Sequence, residues 1–92
     1  MGKSVKIIIS GQVQGVGFRA WIIRQAEARN LSGWVRNLSD GTVEALFSGE
    51  EGEVEKILDE CRKGPPGALI SQVKSEDSEE FGISGFRQKP TL

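Results

Sequence analysis

No histidine occurs in these 92 residues, and there is a single cysteine, Cys61. The first absence removes the commonest metal ligand and the commonest general base, and the second removes an internal disulfide and any cysteine-built metal cage. No apolar run is long enough to span a bilayer, and the N-terminus lacks a secretory-leader pattern, so a cytoplasmic protein with no membrane partner is expected. Basic charge is not in excess either. Lys and Arg number 12 against 13 Asp and Glu, a formal charge of −1, and a pI near 5.5 argues against a general nucleic-acid binder. What remains is an ordinary soluble composition, 37% apolar and 27% charged. It fits a single domain over residues 1–92 that can bury roughly two thirds of its extended surface without a staple.

The near-neutral total hides an asymmetry. Residues 1–45 hold six basic side chains against three acids, whereas residues 46–92 hold six against ten. The positive half also carries the glycine-rich stretch Gly11-Gln-Val-Gln-Gly-Val-Gly-Phe-Arg19. Glycines at 11, 15 and 17 leave room for backbone N–H groups to curl around an anion, and Arg19, entering the next helix, offers a planar fork of donors. Taken alone, such a loop is as consistent with a tight turn and a surface-paired arginine as with a phosphate cradle.

In chain order, Val5, Ile7 and Ile9 alternate with Lys6, Ile8 and Ser10, which predicts a central strand over 4–12. Phe18, Ile22 and Ala26 recur every four residues, predicting a helix that ends near Arg29 or Asn30, with Trp21 helping to cover the core. A second strand over 33–37 and a third over 42–48 flank Asp40-Gly41, a strong hairpin signal. Arg36 and Glu44 read as solvated strand residues, and Asn37 by itself as a turn-starter. Val54, Ile57, Leu58 and Cys61 mark a second helix, acidic at its start, basic at its end and stopped by Gly64-Pro65-Pro66. Cys61 lies on the apolar stripe and reads as a buried, inert thiol. A fourth strand covers 68–74 and a polar loop or bend covers 75–80. Phe81, Ile83 and Phe86 predict a short last strand before a frayed tail over 90–92.

The order β-α-β-β-α-β defines an α+β, ferredoxin-like sandwich. The expected architecture is an antiparallel four-stranded sheet in the order 4-1-3-2, both helices on one face, with a short fifth strand added. In that topology strands 1 and 2 run parallel with strand 3 between them, so Arg19 and Asn37 leave strand ends at one edge of the sheet.

The glycine stretch, together with Gly33-Trp-Val-Arg-Asn37, Asp40-Gly41 and Val43-Glu44 at the right spacing, closely resembles the acylphosphatase family over nearly the whole chain. The Gly64-Pro65-Pro66 break and Gly85-Phe86 also look like the family's, whereas Ile22-Ile23 falls where relatives vary and Arg87-Gln88-Lys89-Pro90 is more polar than the usual final strand. The resemblance implies hydrolysis of the carboxyl-phosphate bond of a small-molecule acyl phosphate, giving a carboxylate and inorganic phosphate. It further implies that Arg19 binds the phosphate, that Asn37 positions the attacking water, and that the backbone of Gln14, Gly15, Val16, Gly17 and Phe18 forms the cradle. No metal and no cofactor are implied, and a monomer is expected.

The residue chemistry is compatible with that reading. A carboxylate leaves without protonation, so the missing histidine is tolerable. Asn37 can hold a water but cannot act as a base, which leaves a phosphate oxygen of the substrate to take the proton and makes phosphate monoesters poor substrates. An RNA-binding domain of the same element order is disfavoured because strand 1 offers Ile7, Ile8 and Ile9 where stacking aromatics are needed. A non-catalytic phosphate-binding or interaction module on the same fold is the other reading left open.

Overall fold

In the computed structural model, which describes residues 2–82 and 84–92, the β-branched alternation at the start becomes β1 (Gly2–Gln12). It is followed by α1 (Phe18–Ala28), β2 (Ser32–Asn37), β3 (Val43–Glu50), α2 (Glu51–Lys63), β4 (Leu69–Asp77) and β5 (Phe86–Gln88). The sheet order is β4-β1-β3-β2-β5. The four expected strands pair antiparallel in the expected order, and β5 adds to the edge parallel to β2.

Period-two patterning decides which face is buried. Val5, Ile7 and Ile9 of β1 and Val43, Ala45 and Phe47 of β3 are all at most 2% exposed and pack against Phe18, Ile22 and Ala26 of α1 and Val54, Ile57 and Cys61 of α2. Trp21 stacks on Phe18 with ring centroids 5.6 Å apart, a core-covering role. α2 begins with its own cap, for the Glu50 carboxylate accepts from the N–H groups of Gly52 and Glu53. Those two hydrogen bonds hold its carboxyl below the ordinary range. No helix among the described residues is long and apolar enough to cross a membrane.

Cys61 is fully buried, and desolvation raises its thiol pKa to about 12. Cys61→Ser is expected to lower folding stability by about 2 kcal/mol, because a hydroxyl there lacks the water it had in the unfolded chain. Urea unfolding measures the loss. A thiol reagent should label the wild type only once it unfolds, and fast labelling of native protein would contradict the buried placement.

Several boundaries differ from the sequence pattern. The polar run Ser75–Asp77, expected as a loop, continues β4, pairing Ile7 with Ser75, Lys6 with Glu76 and Val5 with Asp77. An edge strand needs backbone partners on one side only, so its exposed side chains carry no apolar signal. The last strand begins at Phe86, whose ring stacks on Phe47 at 5.6 Å, and takes in the polar residues Arg87 and Gln88. Phe81 lies outside it and is exposed, and Ile83 falls outside the described residues. The tail is anchored rather than frayed: the Leu92 N–H donates to Asn37 O (3.2 Å) and Leu92 O accepts from the Ser39 N–H (2.9 Å). Arg36 and Glu44 form a 2.7 Å ion pair and are largely covered, the guanidinium lying 4.9 Å from the Trp34 ring.

Candidate active site

Register brings the two sequence blocks to one end of the sheet. Ile9 of β1 and Asn37 of β2 both pair with Val43 of β3, so they stand level, two strand spacings or about 10 Å apart. β1 then kinks. Its pairing with β4 slips between Ser10 and Gly11, and Gly11 (φ 126°) lies so close to β4 that a Cβ would meet Leu69 O at 2.0 Å. Gly11 is therefore required by a strand bulge and is not part of the anion loop, a correction to the grouping of the three glycines.

The loop proper runs over 13–17, held at both ends by buried anchors, Val13 and Phe18 (each 1% exposed). Gly15 (φ 76°) and Gly17 (φ 74°) are both in the left-handed region, and a Cβ would meet nothing within 4 Å at either. Conformation, not space, calls for glycine at these two positions. Gly17 is the N-cap of α1, with no side-chain cap hydrogen bond and no acid in the first turn. The first helical bond runs from the Trp21 N–H to Gly17 O (3.0 Å), so the amides of Phe18, Arg19 and Ala20 find no acceptor within the helix. α2 closes its N-terminus with a carboxylate, while α1 leaves its own open. A helix N-terminus of that kind attracts an anion.

A cavity of about 150 Å³ lies there, lined by Val13, Gly15, Gly17, Phe18, Arg19, Ala20 and Gln88. Arg19 takes part in none of the ion pairs among the described residues, so its guanidinium is not spent on a surface acid. Val16 is exposed at the loop tip and Gln14 lies outside the cavity wall. Gln88, from β5 beside Val35, is a wall residue the sequence pattern did not point to. A second concavity, about 470 Å³ and bordered by Trp34, Phe81, Arg87 and Lys89, contains neither Arg19 nor any cradle glycine and shares only Gln88 with the first.

Asn37 does not line the 150 Å³ cavity, but β2, which carries it, runs between the loop after β1 and Gln88 on β5. It pairs with Val43, on the helix-covered side of the sheet. Its Oδ1 is buried and has no hydrogen-bond partner among the described residues. An orphaned buried acceptor is uncommon and marks a place where a water or ligand is wanted. The turn that follows is well fixed: Asp40 Oδ1 accepts from the Thr42 N–H (3.0 Å) and from Thr42 Oγ1 (2.6 Å). The side-chain hydrogen bond and then the backbone one hold the Asp40 carboxyl below its usual range. Since its folded pKa is depressed, this stabilisation is present above the unfolded value and disappears as pH falls through the folded one.

A small cavity is thus lined by residues of the open α1 N-terminus and by Arg19, with an unpartnered amide oxygen on the nearby strand β2. Among the described residues no group of three or more His, Cys, Asp or Glu side chains could hold a metal ion.

The family model and the most similar curated relatives point to one family. The acylphosphatase family model matches residues 5–88. An acylphosphatase of Rhodospirillum rubrum is 47% identical over 90 residues, covering 98% of this chain and 99% of the relative. The solved acylphosphatase structure from Coxiella burnetii superposes with a TM-score of 0.91 at 36% identity, covering 96% of this chain and 93% of the other. That from Bacillus subtilis gives 0.90 at 33%, covering 97% and 99%.

Proposed function

From the premise that the chain belongs to the acylphosphatase family and is an acyl phosphate hydrolase, we propose that Arg19 and the 14–18 backbone bind the phosphoryl group while Asn37 positions the attacking water, without a metal. The observation that carries this reading is the open N-terminus of α1, where two left-handed glycines and an arginine outside every ion pair among the described residues line one cavity. Every group involved belongs to one chain, so a single-domain monomer suffices.

The step follows from charge. The phosphoryl oxygens lie against the loop amides and the Arg19 fork, which neutralise charge as the bond to the carboxylate oxygen lengthens. Asn37 Oδ1 accepts a hydrogen from the water and aims its oxygen at phosphorus, in line with the leaving group. The water oxygen–phosphorus bond forms as the phosphorus–carboxyl oxygen bond breaks, and the pair in the broken bond leaves with the carboxylate. The water's proton passes to a phosphate oxygen. No side chain has to titrate, which suits a site without histidine.

The test is hydrolysis of an aryl acyl phosphate by the purified protein in excess chelator. Turnover is expected to persist, with an alkyl phosphate monoester turned over at least about a hundredfold more slowly, since its alkoxide leaves poorly and no acid is on hand. Loss of activity in chelator, restored by a divalent cation, would overturn the metal-free mechanism. A folded protein that binds phosphate without turnover would replace it with the binding-module reading.

A further inference from the structure

The Gln14 side chain is exposed and does not line the 150 Å³ cavity, yet its single amide nitrogen is fully used. Gln14 Nε2 donates to Leu38 O and to Thr42 O, each at 3.0 Å. Both acceptors belong to the turn between β2 and β3, where the Leu38 N–H donates to Thr42 O (2.9 Å) and the Gly41 N–H to Leu38 O (3.2 Å). One neighbour of Gln14 is Gly15 of the cradle, and one neighbour of Leu38 is Asn37. The side chain thus ties the phosphate-holding loop to the strand end that carries the unpartnered amide, crossing the end of β3.

We propose that Gln14 is a positioning residue that fixes the distance between the phosphate cradle and the Asn37 water site. The inference rests on the reading of Asn37 given above. Phosphorus is held by the loop and water by the end of β2, two elements that are not adjacent in the sheet. In-line attack needs the two in register to within a fraction of an ångström, and misplacement of about 1 Å costs roughly a hundredfold. Two hydrogen bonds from one planar amide set that register in a way a single bond does not. The hydrogen bonds of the Gln14 side chain go to the β2–β3 turn and not to a loop amide, so loss of the tie is expected to disturb attack geometry more than phosphate binding.

The test uses Gln14→Ala, which removes the tie, and Gln14→Glu, which keeps the length but turns a carboxylate toward two carbonyl oxygens. Expected are a fall in kcat of about ten- to a hundredfold, an inhibition constant for inorganic phosphate within about twofold of wild type, and a shift of the Asn37 side-chain amide resonance. The melting temperature of Gln14→Ala should stay near wild type, because the side chain is exposed. If kcat and phosphate affinity fall together with the melting temperature, Gln14 is only a staple for the loop and the proposal is overturned. Asn37→Ala, run alongside, separates the two levels. Wild-type turnover in Asn37→Ala removes the water-site reading itself. Loss of turnover there with wild-type kcat in both Gln14 variants removes only the role of Gln14.

Discussion

Arg19→Ala is expected to lower kcat/KM for an aryl acyl phosphate by about three orders of magnitude, roughly 4 kcal/mol of transition-state stabilisation, with the fold unchanged. The size follows from the site's poverty in charge. Arg19 is the one charged side chain among the described residues that line the cavity, and the chain has no histidine. Loop amides contribute only partial charges. Stability should hardly move, because the guanidinium makes none of the ion pairs among the described residues. Arg19→Lys retains the charge but not the two-pronged donor geometry, so it should lose about a hundredfold in turnover and weaken inhibition by inorganic phosphate. Steady-state kinetics with phosphate as competitor, beside a thermal melt, checks both. An Arg19→Ala protein that melts as wild type and turns over within tenfold of it would show that the loop amides alone hold the phosphoryl group.

How far the site was legible from sequence depends on whether the reason for each residue is local. Gly15, Gly17 and Arg19 are placed by the phase of a strand ending and a helix beginning, so their relation was readable within a few positions. Gly11 was not: what requires a glycine there is the carbonyl of Leu69, nearly sixty residues away, and nothing local separates a bulge glycine from a loop glycine. The fifth strand was half legible. Phe86 announced it through the apolar ring that packs on Phe47, but Arg87 and Gln88 pair with β2 through their backbone and leave no pattern in side-chain type. Gln88 as a cavity wall was hidden for the same reason. Gln14 was readable only as a backbone contributor, since the acceptors of its side chain lie across the sheet end.

Asn37→Ala is expected to reduce kcat by two to three orders of magnitude while leaving the inhibition constant for inorganic phosphate within about threefold of wild type. The asymmetry arises because the cavity proposed to take the phosphoryl group is walled by the loop, α1 and Gln88, not by Asn37. Stability supplies a second, sharper readout. A buried amide oxygen without a partner costs free energy, so its removal should leave the protein as stable as wild type, or more stable by about 1 kcal/mol. If Asn37 merely started the turn, the opposite pattern would hold, with a destabilised protein that still turns over. Asn37→Asp refines the argument, for it is isosteric but sets a carboxylate beside the bound phosphoryl group. Phosphate affinity should then fall along with kcat, most strongly above the carboxylate's pKa. Loss of turnover at unchanged or improved stability in the alanine variant, with loss of phosphate affinity confined to the aspartate, is the combination that a water-positioning amide produces and a structural turn residue does not.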